Sequence, residues 1–86
     1  MKPVTVYTTN YCPYCRQAER LLTSKGVTFT NVDVTEDPAM REKLVEMTGG
    51  KKTVPQIFID GVSVGGYSDL AALDQKKQLD AMLGIG

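Results

Sequence analysis

Tyr11-Cys12-Pro13-Tyr14-Cys15-Arg16 holds both cysteines of an 86-residue chain, two residues apart. It stands where a strand pattern gives way to a helical one. On its N-terminal side, Val4 to Thr8 is short and rich in Val, Thr and Tyr, which predicts a first strand, central and buried. On its C-terminal side, Tyr14, Ala18, Leu21 and Leu22 recur at helical spacing from Pro13 to Lys25, and Gly26 supplies a stop. With Pro13 in the first helical position, Cys12 becomes the N-cap and its sulfur faces the free amides of Tyr14 and Cys15. Those amides and the positive end of the helix dipole stabilise a thiolate, so Cys12 is the expected nucleophile. Cys15 lies one turn deeper on the same face, placed to attack a mixed disulfide on Cys12 and release the bound thiol. Pro13 and Tyr14 occupy the positions that tune the poise of such a dithiol.

Outward from this stretch, Thr28 to Asp33 predicts a second strand, with Phe29, Val32 and Val34 apolar. A crossover helix joins it to the first, so the two should be parallel. Thr35-Glu36-Asp37-Pro38 gathers helix-start residues. A second helix should follow, its face made of Ala39, Met40, Lys43, Leu44 and Met47, ending at Gly49-Gly50 before the pair Lys51-Lys52. Gln56 to Ile59 predicts a third strand, Asp60-Gly61 a type I′ turn, and Val62 to Val64 an antiparallel fourth. Gly65-Gly66 breaks that strand. Ser68 or Asp69 can cap a third helix through Leu70, Ala71 and Leu73. Gln75 to Leu83 continues or restarts helix, and Gly84-Ile85-Gly86 should fray. No linker or repeat interrupts the order, so residues 1–86 are expected to form one domain.

Composition narrows the partners. Lys plus Arg and Asp plus Glu both number 10, so no charge excess argues for nucleic acid or an anionic membrane surface. The N-terminus leads straight into a strand pattern, and no apolar run reaches the roughly 18 residues of a membrane span. A cytoplasmic location and no membrane partner are expected. Two other readings of the cysteines exist: a structural disulfide, which over so short a loop removes little unfolded-state entropy, and two buried thiols with no chemistry. An intramolecular zinc site needs four nitrogen or sulfur ligands, whereas the chain has two cysteines and no histidine.

Three motifs, in order and spacing, make the chain similar to the glutaredoxins, in their small dithiol bacterial-type form. They are Cys12-Pro13-Tyr14-Cys15 after the first strand, Thr53-Val54-Pro55 before the third, and Gly65-Gly66-Tyr67-Ser68-Asp69 after the fourth. The resemblance covers nearly the whole chain. It implies an α/β, thioredoxin-like fold: a four-stranded mixed sheet in order 2-1-3-4, flanked by helices on both faces. It also implies a glutathione-dependent thiol-disulfide oxidoreductase that reduces protein disulfides and glutathione mixed disulfides through Cys12 and Cys15.

Residue by residue, the resemblance implies a cis Val54-Pro55 bond, with Val54 offering its backbone to the cysteinyl part of glutathione and Thr53 beside it. Without the resemblance, Thr53 to Pro55 can also be read as a plain turn leading into Gln56. The Gly66 to Asp69 segment would clamp the γ-glutamyl end: the amides of Ser68 and Asp69 take its carboxylate, and the Asp69 side chain takes its ammonium. Either residue also reads as a helix cap. Tyr14 would line the groove, while Tyr11 and Tyr67 read equally as surface aromatics. One departure stands out, because Thr9 occupies the position of a lysine found in many family members. Lys51 or Lys52 is the expected substitute; Arg16 reads better as a solvated cation.

Glutathione is therefore the expected reducing co-substrate, with no tightly bound cofactor and no metal. The expected partners are disulfide-containing or glutathionylated proteins, met by a monomer. Two alternatives accompany this reading: a [2Fe-2S] cluster carrier using Cys12 and two glutathiones in a dimer, and a redoxin reduced by thioredoxin reductase.

Overall fold

A computed structural model describes residues 1–85. The chain runs β1 (Val4–Thr8), α1 (Pro13–Ser24), β2 (Thr30–Asp33), α2 (Pro38–Met47), β3 (Gln56–Ile59), β4 (Val62–Gly65), α3 (Tyr67–Gln75) and α4 (Leu79–Leu83). The strands form one mixed sheet in the order β2-β1-β3-β4. β1 pairs parallel with β2 (Tyr7 opposite Val32) and antiparallel with β3 (Val6 opposite Ile57), and β3 pairs antiparallel with β4. The expected sheet order and strand directions are those found. This is the thioredoxin-like arrangement, with Cys12 just beyond the C-terminal end of a central strand.

Period-two burial along β1 turns Val4, Val6 and Thr8 inward. On α1, Cys15, Ala18 and Leu22 are buried at helical spacing. Val4, Val6, Ala18 and Leu22 join Val27, Ile57, Ile59, Leu70, Leu79 and Leu83 in one cluster. Truncating a fully buried leucine such as Leu22 to alanine costs about 2–5 kcal/mol by lost transfer energy and residual cavity. Leu44, the buried residue of α2, stands outside this cluster.

Four details depart from the sequence reading. β2 starts at Thr30 rather than Thr28. α2, capped by Asp37 through a 3.0 Å bond from the Met40 N–H, leaves Ala39, Lys43 and Met47 exposed. Its inner face is Met40, Arg41, Leu44, Val45 and Thr48, a stripe at i, i+1, i+4, i+5 and i+8. α3 begins at Tyr67 with Gly66 as N-cap, so Ser68 and Asp69 lie inside the first turn.

The last residues are held rather than frayed. The Gly84 N–H bonds Ala81 O at 3.2 Å and the Ile85 N–H bonds Asp80 O at 3.1 Å, a Schellman ending; Gly86 lies outside the described residues. The same pair of bonds closes α3 at Lys77 and Gln78, which is why the stretch from Gln75 restarts helix instead of continuing it. Lys77 takes the left-handed position there, at φ 59°. Lys25, just past α1, ties the helical layer together by pairing with Asp74 on α3 at 2.6 Å and Asp80 on α4 at 2.8 Å. Those carboxylates, Asp74 first, hold its ammonium above the ordinary lysine range.

Candidate active site

Cys12 is the N-cap of α1 and Pro13 its first helical residue. The Cys15 N–H donates to the Cys12 sulfur at 3.2 Å, so of the two amides expected to serve it, Cys15 supplies the bond. The Cys12 thiol in turn donates to the Val54 carbonyl at 3.6 Å, across 42 residues of sequence. Both thiols are free. Cys12 keeps 9% of its surface exposed and Cys15 none, so an incoming disulfide meets Cys12 first. Burial, and then the hydrogen bond to the Cys12 sulfur, push the Cys15 thiol up to about 12. The Thr9 N–H and the Arg16 charge act against that rise.

Beside Cys12 opens a cleft of about 340 Å³. Tyr14, Thr53, Val54, Pro55, Gly66 and Ser68 line it together with Tyr67. The sequence reading named all of these except Tyr67. Tyr67 stacks on Tyr14 with ring centroids 6.4 Å apart and planes at 27°, so the two rings form one wall. Period alone did not reveal that pairing, because the residues meet only when α3 packs across α1. The Val54-Pro55 bond is cis. Gln56, fully buried, donates from Nε2 to the Thr53 carbonyl at 2.9 Å and fixes the approach to that bond.

Opposite the proline, the end of β4 is shaped by a bulge. Ile57 faces Gly65 while Phe58 faces Ser63, leaving one extra residue on β4. Gly65 adopts φ +100°, a backbone region that side chains resist. Its missing side chain leaves room for the Asp69 carboxylate, which reaches back to the Gly66 N–H at 3.0 Å. Asp69 therefore caps α3 from the third position, with its carboxylate beside the cleft rather than lining it. Gly66 lies close under the proline loop: a methyl group there would stand 3.3 Å from the Pro55 carbonyl.

Cations gather on the other flank. A second pocket, of about 230 Å³, adjoins Val54 and Thr53 and is bounded by Lys51, Lys52 and Arg41. Arg41 donates to the Tyr11 hydroxyl at 3.3 Å and to the Lys52 carbonyl at 3.4 Å. The sequence reading passed over Arg41 because it placed the inner face of α2 elsewhere; the i, i+4 step from Arg41 to Val45 was the available signal. Arg16, read as a solvated surface cation, is indeed exposed, and it also bonds the Thr9 carbonyl at 3.0 Å and pairs with Glu19 at 3.1 Å. Among the described residues no group of three or more His, Cys, Asp or Glu side chains is placed to hold a metal ion. No helix among them is long and apolar enough to cross a membrane.

Comparison with known proteins agrees with this geometry. The Glutaredoxin family model matches residues 4–64. Glutaredoxin 3 of Escherichia coli strain K12 is 46% identical over 83 residues, spanning 96% of this chain and 99% of that protein. A glutaredoxin of Pseudomonas aeruginosa is also 46% identical over 83 residues, with 96% and 98% covered. Among solved structures, a buckwheat glutaredoxin-glutathione complex superposes with TM-score 0.90 at 27% identity, over 96% of this chain and 77% of that one. Glutaredoxin from Brucella melitensis does so with TM-score 0.87 at 43% identity, over 100% and 92%. A dithiol at a helix N-terminus, set on this sheet in a chain so similar to known glutaredoxins, makes the chain a thiol-disulfide oxidoreductase of the glutaredoxin family.

Proposed function

We propose that glutathione is the reductant of this oxidoreductase, and that Cys12 is its nucleophile and Cys15 its resolving thiol. The observation that carries the reading is the convergence of α1, the Val54-Pro55 loop and the start of α3 on one cleft, whose Val54 carbonyl meets the Cys12 sulfur. Cys12 sits at the rim of a cleft walled by the Val54-Pro55 loop and by the start of α3. A γ-glutamyl peptide fits that chemistry. The amides of the first turn of α3 suit its carboxylate, the Asp69 oxygen left over from capping suits its ammonium, and the Val54 backbone suits its cysteinyl unit. Arg41, Lys51 and Lys52 lie where the remaining glycyl carboxylate would emerge, with Thr53 between, and so take over the charge that Thr9 lacks. The buckwheat relative is described in complex with glutathione.

In the reaction, the Cys12 thiolate attacks one sulfur of a substrate disulfide. A Cys12–sulfur bond forms, and the other sulfur leaves with the bonding pair and takes up a proton. While the Cys12 sulfur is free, the Cys15 proton is held by burial and by that sulfur. Once Cys12 is bonded to a substrate, its hydrogen bond and charge no longer raise the Cys15 thiol, and the resolving step becomes easier. Cys15 then displaces the bound thiol, or glutathione does so directly, and two glutathiones oxidised to their disulfide restore the dithiol.

A coupled assay with glutathione and glutathione reductase, on a small glutathione mixed disulfide, tests this. Cys15→Ser should keep that activity and lose the dithiol route to protein disulfides; Cys12→Ser should lose both. Equal turnover with thioredoxin reductase in place of glutathione would refute the reductant assignment.

A further inference from the structure

Three cations gather on the Val54 flank of the cleft with their charge uncancelled. Arg41, Lys51 and Lys52 border one pocket of about 230 Å³ in which Glu42 is the single acidic residue, so the pocket is positive. The ion pairs among the described residues join Lys2 to Asp60, Arg16 to Glu19, and Lys25 to Asp74 and Asp80, and leave all three out. The Arg41 guanidinium donates to neutral oxygens, the Tyr11 hydroxyl at 3.3 Å and the Lys52 carbonyl at 3.4 Å, and so is held in place without losing its charge. The lysine loop is held as well. At the end of α2 the Thr48 hydroxyl accepts from the Lys51 N–H at 3.2 Å and donates to the Leu44 carbonyl at 2.9 Å. Thr53 and Val54 line both this pocket and the cleft beside Cys12. In a chain whose charges balance at 10 and 10, the excess is local.

We propose that this pocket selects protein substrates by the residue that follows their reacting cysteine, favouring an acidic side chain there and aspartate above all. The proposal rests on the glutathione reading above, which sets the direction: the amino side of the bound cysteine lies toward α3 and its carboxyl side toward Lys51 and Lys52. Glutathione ends there in a carboxylate. A cysteine inside a protein chain does not, because the next residue continues into an uncharged peptide bond. The charge has to come from that residue's side chain, and an aspartate carboxyl stands one bond further from its Cα than the glycyl carboxylate does. The same three cations then serve both ligands, and they repel a lysine at that place.

The test uses capped peptides Ala-Ala-Ala-Cys-Xaa-Ala, with Xaa as Asp, Asn or Lys, whose cysteine is disulfide-bonded to thionitrobenzoate. The Cys12 thiolate attacks the peptide sulfur, a Cys12–peptide disulfide forms, and thionitrobenzoate leaves with the bonding pair as a coloured thiolate. Its second-order rate of release should be about fivefold higher for Asp than for Asn, and lower for Lys by a similar factor. The spread should shrink at high salt. Lys51→Glu combined with Lys52→Glu, residues tied to their neighbours through backbone bonds, should reverse the order. A faster Lys peptide is a gain that a misfolded variant could not give. An aspartate moved to three residues before the cysteine, at equal peptide charge, should give no advantage. Three peptides that react alike, an order the double variant does not reverse, or an equal advantage for the moved aspartate overturns the inference. The glutathione reading has its own readout, because glutathione should outrun its glycyl amide as reductant in the coupled assay. Peptides that react alike while glutathione is still preferred overturn the inference alone; peptides that react alike with glutathione and its amide also equal overturn both.

Discussion

Gly65→Ala should damage stability and the proposed glutathione clamp together, because one missing methyl group serves both. Gly65 ends β4 at φ +100°, and an added Cβ would press into Asp69 Oδ2 and stand 2.8 Å from its Cγ. Holding an alanine at positive φ costs about 1–2 kcal/mol. Driving the carboxylate off the Gly66 N–H removes a helix cap worth about 1 kcal/mol. The sum, about 2–3 kcal/mol, corresponds to a Tm fall of roughly 10–20 °C in a domain of this size. The displaced carboxylate also leaves the place proposed for the ligand's ammonium, a charge-assisted contact worth about 1.5–3 kcal/mol, so the glutathione KM should rise about tenfold or more. Urea unfolding and glutathione-dependent turnover read the two effects separately. Their common origin shows in a double-mutant cycle. In an Asp69→Ala background the methyl group meets less and breaks no cap, so Gly65→Ala should cost about 1 kcal/mol less than in the wild type. Additive costs within about 0.5 kcal/mol would refute the account, as would a Gly65→Ala protein with wild-type stability.

Lys77→Gly should stabilise the chain by about 0.5–1 kcal/mol, read as a higher urea midpoint, since Lys77 holds a left-handed position that glycine takes without steric cost. Gln56→Met should leave stability within about 1 kcal/mol, because the two lost bonds to Thr53 are offset by removal of a buried Oε1 that has no partner. Its effect should appear as a raised glutathione KM with kcat nearly unchanged, as Thr53 loosens. Cys15 predicts an alkaline weakness. Its folded thiol is pushed from 9.0 up to about 12, so the stability it lends is full below pH 9.0 and drains away as the pH climbs toward about 12. Urea midpoints of wild type and Cys15→Ser, compared through that range, should converge as pH rises, and parallel curves would refute the assignment.

Local chemistry made much of this molecule legible. Pro13 fixes the start of α1 within one residue of Cys12, and Asp60-Gly61 turns with both φ values positive, at 52° and 79°, as the dipeptide requires. Both outcomes depend on residues a few positions apart. The misplaced face of α2 depended on what the helix packs against: Met47 is as apolar as Met40, yet Met47 is exposed and Met40 half-buried. Choosing the wrong face then hid Arg41. The start of α3 was misjudged because Ser68 and Asp69 are better N-cap residues than Gly66. The bulge that sets Gly65 at positive φ, and so lets Asp69 cap from the third position, arises from pairing with β3.

The two cysteines divide along the same line. What Cys12 gains locally, the Cys15 N–H three residues away, is written into the spacing of the motif. The Val54 carbonyl that also meets it arrives from 42 residues off, brought by the antiparallel pairing of β3 against β1. Cys15 has the same helical surroundings in any such motif, but here its only opposing influences are the Thr9 N–H and the Arg16 charge. Thr9 is where the family's lysine is missing, and the guanidinium of Arg16 bonds to its carbonyl. The Arg16 charge, carried on α1 itself, acts on the buried Cys15 sulfur. A charge so placed favours the thiolate of Cys15, the resolving thiol proposed above.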